Sequence, residues 1–150
     1  MLAVIQRVSE ASLHIEGQLK ASIQQGFVVL LGIHISDEPS DVIYLASKIA
    51  SLRVFSDSEG KMNLDLQAVD GAILLVSQFT LHASTKKGNR PSYINAAKPD
   101  IAIPLYEAFI QQLQKDVGAP IQTGSFGADM KVALINDGPV TITIDSKNKE

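Results

Sequence analysis

Apolar residues along this chain follow two periods, an alternating or continuous pattern in short stretches and a helical one in two longer stretches, and these predict the elements. Leu2 to Val8, Ser12 to Ile15 and Gln18 to Ile23 read as short strands, with Glu16-Gly17 as a tight hairpin turn. Gly26 to Ile35, GFVVLLGIHI, is an apolar run that reads as a central strand with His34 a satisfied residue at its end. From Pro39 to about Leu52 the period becomes helical, with Val42, Leu45, Ala46 and Ile49 on one stripe. Pro39 suits the first turn, and Asp37 or Glu38 complements the helix dipole. Arg53 to Phe55 reads as a short strand, followed by a polar turn through SDSEGKMN that lacks the ligand spacing of a calcium loop.

The stretch Ala72 to Leu81, AILLVSQFTL, reads as a strand buried on both faces that ends abruptly in Ser77, Gln78 and Thr80. If it stays extended, alternation puts Ser77, Phe79 and Leu81 on one face and Gln78, Thr80 and His82 on the other. Polar side chains there must be hydrogen-bonded or line a cavity. His82 to Pro99 is loop-rich. A second helix, with Asp100 as its cap, carries Leu105, Tyr106, Phe109, Ile110 and Leu113 and stops at Gly118-Ala119-Pro120, with Pro104 early enough to be tolerated. Ile121 to Phe126, Met130 to Ile135 and Val140 to Ile144 close the chain as three strands, and Ser146 to Glu150 is expected to fray. The class is α+β, one domain over residues 1–150, with a largely antiparallel or mixed sheet or barrel-like core and two main helices.

The 150 residues include no cysteine, which excludes disulfides, thiol nucleophiles and cysteine-ligated metals. No secretory signal and no run approaching the ~20 apolar residues of a membrane span is visible, so a soluble cytoplasmic protein is expected. A net charge of −3 argues against tight, sequence-independent nucleic-acid binding. Between Asp70 and Asp100, however, no acid occurs, while Lys86, Lys87, Arg90 and Lys98 fall there. Such a basic rim is either a solvated loop or a transient hold on a polyanion.

Walker, GxGxxG, GxSxG and HExxH motifs are absent, and the three histidines lie on separate segments without metal-ligand spacing. Neither metal nor cofactor is expected. Gly124-Ser125-Phe126-Gly127 echoes a KH-type clamp, but its flanks are strand-like. Thr80 and His82 would share a strand face, yet no orienting acid accompanies them. Arg7, amid apolar neighbours, reads from its surroundings as the exposed face of an edge strand.

Ser77-Gln78-Phe79-Thr80-Leu81 and Asn136-Asp137-Gly138-Pro139-Val140-Thr141 together resemble the SQFTL and NDGPVT signatures of the D-aminoacyl-tRNA deacylases. The resemblance extends over Gln6-Arg7-Val8, Phe55-Ser56-Asp57 through Gly60 to Asn63, Gly88 to Ser92, and Thr123-Gly124 through Phe126 to Ala128-Asp129-Met130. It implies hydrolysis of the ester that joins a D-amino acid, or misplaced glycine, to the terminal adenosine of tRNA. Ser77 to Thr80 would form the pocket floor, with the Phe79 or Thr80 N–H as oxyanion donor, Thr80 as nucleophile or positioning hydroxyl, and Ala102 in the pocket wall. Lys86, Lys87 and Arg90 would contact tRNA.

On its residues alone Gly138-Pro139 would be trans, with Pro139 opening a strand. The resemblance implies instead a cis pair that projects into the other subunit's pocket in a homodimer and excludes L-amino acids, with Arg7 holding it. Two other classes stay open: a non-catalytic nucleic-acid binding module, and a structural or interaction protein.

Overall fold

The computed structural model describes residues 1–149. In chain order it contains β1 (Leu2–Ile15), β2 (Gln18–Ile23), β3 (Gly26–Gly32), α1 (Pro39–Ala50), β4 (Phe55–Ser56), β5 (Met62–Leu64), β6 (Ala72–Ser77), α2 (Pro99–Val117), β7 (Ile121–Thr123) and β8 (Met130–Asp145). Short 3-10 turns lie at Gln67–Val69 and Phe79–His82. The fold is α+β. Its main sheet runs β2-β1-β3-β6-β7, with β8 on the other side of β1; the pairs of β1 are antiparallel, whereas β3-β6 and β6-β7 are parallel. The sheet curls towards a barrel.

The mixed topology follows from burial on both faces. Phe27, Val29 and Leu31 of β3 and Ile73 and Leu75 of β6 point towards α1 and α2, where Leu45, Ile49, Phe109 and Leu113 complete the larger core. Val28, Leu74 and Val76 point the other way, into a smaller core inside the curled sheet with Leu13 and Ile23. Continuous apolar runs are what parallel strands covered on both sides require. Each fully buried Leu, Ile or Phe contributes roughly 1.5–3 kcal/mol, so the two cores together outweigh any single surface pairing.

β1 changes cores along its length: Ala3 and Ile5 join the helix-side core, whereas Val8, Ala11 and Leu13 join the inner one. The switch is made by register shifts against β8, where Gln6 pairs with Thr141 and Val8 with Asn136. Asp137, Gly138, Pro139 and Val140 thus stand opposite Arg7 alone, and the surplus is expelled from the ladder as a bulge. The two segments expected as separate strands at each end are therefore single strands, β1 and β8, bent but continuous. The chain has two closing strands after α2, not three, and β7 stops at Thr123.

Other boundaries move for local reasons. β3 ends at Gly32, and the short strand expected at Arg53 to Phe55 is Phe55–Ser56. α2 starts at Pro99 with Lys98 as its cap, because proline itself suits the first position, and Asp100 lies in the first turn. Pro104 lies well inside α2 on an exposed position, where the carbonyl it leaves unpaired faces water. α1 takes Glu38 as its cap, and Asp41 Oδ2 accepts from the Glu38 N–H at 2.8 Å.

The expected frayed tail is tied down at its start. Ser146 is buried; its hydroxyl donates to Asp41 Oδ1 at 2.7 Å and accepts from the Met1 ammonium at 2.8 Å. Lys147 Nζ bonds Asp41 Oδ2 at 2.7 Å, and the Met1 ammonium pairs with Asp37 at 2.5 Å. Glu150 lies outside the described residues. Among those residues no helix is long and apolar enough to cross a membrane.

Candidate functional site

A cavity of about 300 Å³ opens at the carboxyl ends of β3 and β6, the end of a parallel pair where connections diverge and leave space. Its floor is Val76, Ser77, Gln78 and Phe79; Leu31 and Ile33 lie beside them, Ala97 and Ala102 form one wall, and Phe126 to Met130 with Val132 form the other. Ser77, Gln78, Phe79 and Ala102, named from the sequence, thus meet around one space.

The chain does not stay extended past Ser77. Gln78 N–H donates to Leu31 O at 2.7 Å, prolonging the β3-β6 ladder by one bond, and Phe79 then enters a 3-10 turn. The expected alternation of Gln78, Thr80 and His82 on one face is lost. A 3-10 turn closes its first hydrogen bond on the residue before it, here Leu81 N–H to Gln78 O at 3.3 Å. The N–H groups of Phe79 and Thr80 are engaged in no hydrogen bond among the described residues. Gly32 lets the turn sit this close to β3: a Cβ there would lie 3.0 Å from Leu81 Cβ and 3.1 Å from Gln78 O.

Thr80 is beside the cavity rather than on its lining, and its Oγ1 accepts from Gln78 Nε2 at 2.5 Å. No Lys, Asp, Glu or His bonds to this hydroxyl among the described residues. His82 packs edge-on against His34, with ring centroids 5.2 Å apart, and its Nε2 is buried without a partner. Burial pushes the imidazole pKa down, against a hydrogen bond to the Gly32 backbone that pushes it up, so His82 is neutral near pH 7. Tyr106, below the floor, donates to Leu75 O at 3.3 Å, and burial raises its pKa to about 12.

The second signature lies elsewhere. Gly138 and Pro139 are exposed on the bulge of β8, joined by a cis peptide, and neither lines the cavity of its own chain. Gly138 has φ +129, a region that disfavours any side chain. A Cβ would also lie 2.8 Å from Val140 Cγ2 and 2.9 Å from Val140 N.

β1 has neighbours on both sides, so Arg7 is not on an edge strand; its side chain is only 11% exposed. Continuing the face of Ala3 and Ile5, it reaches under the bulge. Nε donates to Asp137 O at 3.0 Å and lies 3.3 Å from the Asp137 carboxylate, while a terminal nitrogen donates to Val54 O at 2.5 Å.

Lys86, Lys87 and Arg90 are exposed on the loop between the 3-10 turn and α2, off the cavity, and pair with no acid among the described residues. What sequence reasoning missed is the Phe126 to Met130 wall. Its signal was the family resemblance over Thr123-Gly124 through Phe126 to Met130, which assigned the stretch no role.

The family model for D-Tyr-tRNA(Tyr) deacylase matches residues 4–145. Relatives named D-aminoacyl-tRNA deacylase include those of Flavobacterium johnsoniae and Cytophaga hutchinsonii, each 61% identical over all of both chains. That of Bacteroides thetaiotaomicron is 59% identical, again over the full length of both. A solved structure titled c-Myc DNA Unwinding Element Binding Protein is 40% identical with a TM-score of 0.90, over 97% of this chain and 98% of its own. A second, titled as a probable eukaryotic D-amino acid tRNA deacylase, shares the fold at 15% identity, with a TM-score of 0.81 over 95% of this chain and 97% of its own.

Proposed function

Because the chain belongs to the D-Tyr-tRNA(Tyr) deacylase family, we propose that it hydrolyses the ester of D-aminoacyl-tRNA in the cavity at the ends of β3 and β6, and acts on glycyl-tRNA as well. Its place of work is the cytoplasm, where charged tRNA is used. The observation that carries the reading is the 3-10 turn at Phe79, which presents two unused N–H groups next to an apolar cavity.

Water adds to the ester carbonyl carbon, and the negative charge that forms on the carbonyl oxygen is taken by the N–H of Phe79 or Thr80. The bond to the ribose oxygen then breaks, that oxygen takes a proton, and free amino acid and tRNA leave. The ester is already activated, so positioning and oxyanion stabilisation account for most of the task. Since Thr80 has no base, the substrate's own 2′-OH orients the water.

Chirality is read by main chain. In a homodimer, the Gly138–Pro139 bulge of one subunit enters the cavity of its partner and crowds the α-carbon, so an L side chain clashes while a D side chain points outward. The support is that this bulge is exposed and does not line the cavity of its own chain, and that Arg7 bonds its base. Mixing two inactive variants tests the arrangement: a Gly138 variant and a variant with the cavity blocked at Ala102 should regain D-specific activity on forming mixed dimers. If each site were built from one chain, mixing would restore nothing.

That the 40% identical structure is a c-Myc DNA Unwinding Element Binding Protein favours a second reading, a nucleic-acid binding module without catalysis. Binding of D-aminoacyl-tRNA without release of amino acid would support it.

A further inference from the structure

Phe79 borders the cavity with an N–H that makes no hydrogen bond among the described residues and with a side chain largely in solvent. The ring lies on the rim and is 56% exposed, a large apolar area left in water at the mouth of a polar substrate's site. It is held in place by Tyr93, edge-to-face, with centroids 5.1 Å apart and planes at 74°. Tyr93 is itself 39% exposed, and Ile94 beside it is 79% exposed.

The segment carrying Tyr93 is fixed on both sides. Ser84 and Ser92 exchange N–H···O bonds of 2.8 and 2.9 Å, closing the loop that bears Lys86, Lys87 and Arg90. Three residues further on, Ile35 N–H donates to Asn95 O at 3.0 Å, and Ala97 N–H donates to Ile33 O at 2.9 Å. The two rings therefore stand on a braced strut between the cavity mouth and a loop of uncompensated positive charge.

We propose that Phe79 and Tyr93 form a stacking platform for the unpaired nucleotides that precede the terminal adenosine of the aminoacyl-tRNA, with Lys86, Lys87 and Arg90 receiving their phosphates. The proposal rests on the deacylase reading above and adds a subsite to it. An unpaired strand offers base faces and a phosphate chain together, and aromatic rings interleaved with cations are the surface that holds both. A protein partner is a poorer fit, because the segment that carries the rings, between Asp70 and Asp100, holds Lys86, Lys87, Arg90 and Lys98 and no acid, leaving Asp129 across the cavity as the nearby carboxylate. The chain's net charge of −3 opposes a polyanion overall, and its acids lie outside residues 71–99, so this basic loop is where a polyanion's end can settle.

The experiment compares D-tyrosyl-tRNA with 3′-D-tyrosyl-adenosine, which lacks the preceding nucleotides, as substrates for the full-length protein. Tyr93→Ala should raise KM for the tRNA about tenfold, the usual scale of one lost stacked base, with kcat and the rate on the adenosine ester held within about twofold. Tyr93→Phe should behave as wild type. The double variant Lys86→Ala, Lys87→Ala should weaken the salt dependence of KM for the tRNA only. Tyr93→Ala losing activity equally on both substrates, or on neither, overturns the proposal. So does a shift to monomer in sedimentation with parallel losses, since the rings would then be covered by a second copy. Wild-type protein that hydrolyses neither ester overturns the deacylase reading, a result distinct from all of these.

Discussion

Thr80 is held by its neighbour Gln78 as a hydrogen-bond acceptor, and nothing around it removes a proton, so its hydroxyl is a poor nucleophile. Thr80→Ala should keep deacylation within about tenfold of wild type, because the N–H that matters belongs to the backbone; loss of a true oxyanion donor would cost roughly 10²–10³. An acyl ester trapped on Thr80 would contradict this. Gly138→Ala should abolish D-specific turnover. Its Cβ meets Val140 and the φ disfavours it, at a cost of roughly 1–3 kcal/mol, yet the bulge is exposed, so circular dichroism should still show a folded protein. Arg7→Ala removes the bonds to Asp137 O and Val54 O, and hydrolysis of L-esters should rise relative to D-esters. An unchanged D-to-L ratio would show that the bulge needs no brace. Ser77 and Gln78 were legible as cavity-lining positions because polar residues ending a buried strand demand an explanation, whereas Phe79 came from the family resemblance. Phe126 to Met130 carried part of the family resemblance, yet their place in the cavity wall was not legible, because nothing local distinguishes a wall from any glycine-bounded loop.

At the scale of elements, the periodic segments were readable: both helices and the buried β3 and β6 follow directly from apolar spacing. Register was not. A one-residue shift changes which core a side chain enters, and the shifts between β1 and β8 depend on pairing across more than a hundred residues, which no window of sequence contains. The same long-range pairing brings Ser146 and Lys147 to Asp41, where the tail looked free. Burial acts to raise the Asp41 pKa, but bonds from Lys147, Ser146 and the Glu38 N–H outweigh it and bring the value from 3.8 down to about 2. A carboxylate whose pKa is lowered by folding stabilises the protein above its unfolded value and loses that contribution as pH falls through the folded one. Asp41→Asn should therefore cost on the order of 1–2 kcal/mol near pH 7, discounted because the Lys147 side chain is 43% exposed. The gap to wild type should narrow between about pH 4 and pH 2 in denaturation curves. A gap constant across that window would mean that Asp41 titrates alike in both states.

For the molecule as a whole, the Gly138–Pro139 bulge does not line its own chain's cavity, and in the proposed homodimer a second copy would bring bulge and cavity together. Leu134 and Ile135, 37% and 54% exposed on β8 beside the bulge, are apolar surface that the proposed contact would bury. The protein should sediment as a dimer at assay concentration, and activity should fall with dilution as the dimer dissociates; a fully active monomer would refute the cross-subunit site. The central claim is that rigid main chain selects the hand of the amino acid in a deacylase. It is tested most directly by giving purified protein D-tyrosyl-tRNA and L-tyrosyl-tRNA side by side and following release of free tyrosine. The expected result is rapid loss of the D-ester while the L-ester decays only at its uncatalysed rate, and equal rates on the two esters would contradict the account.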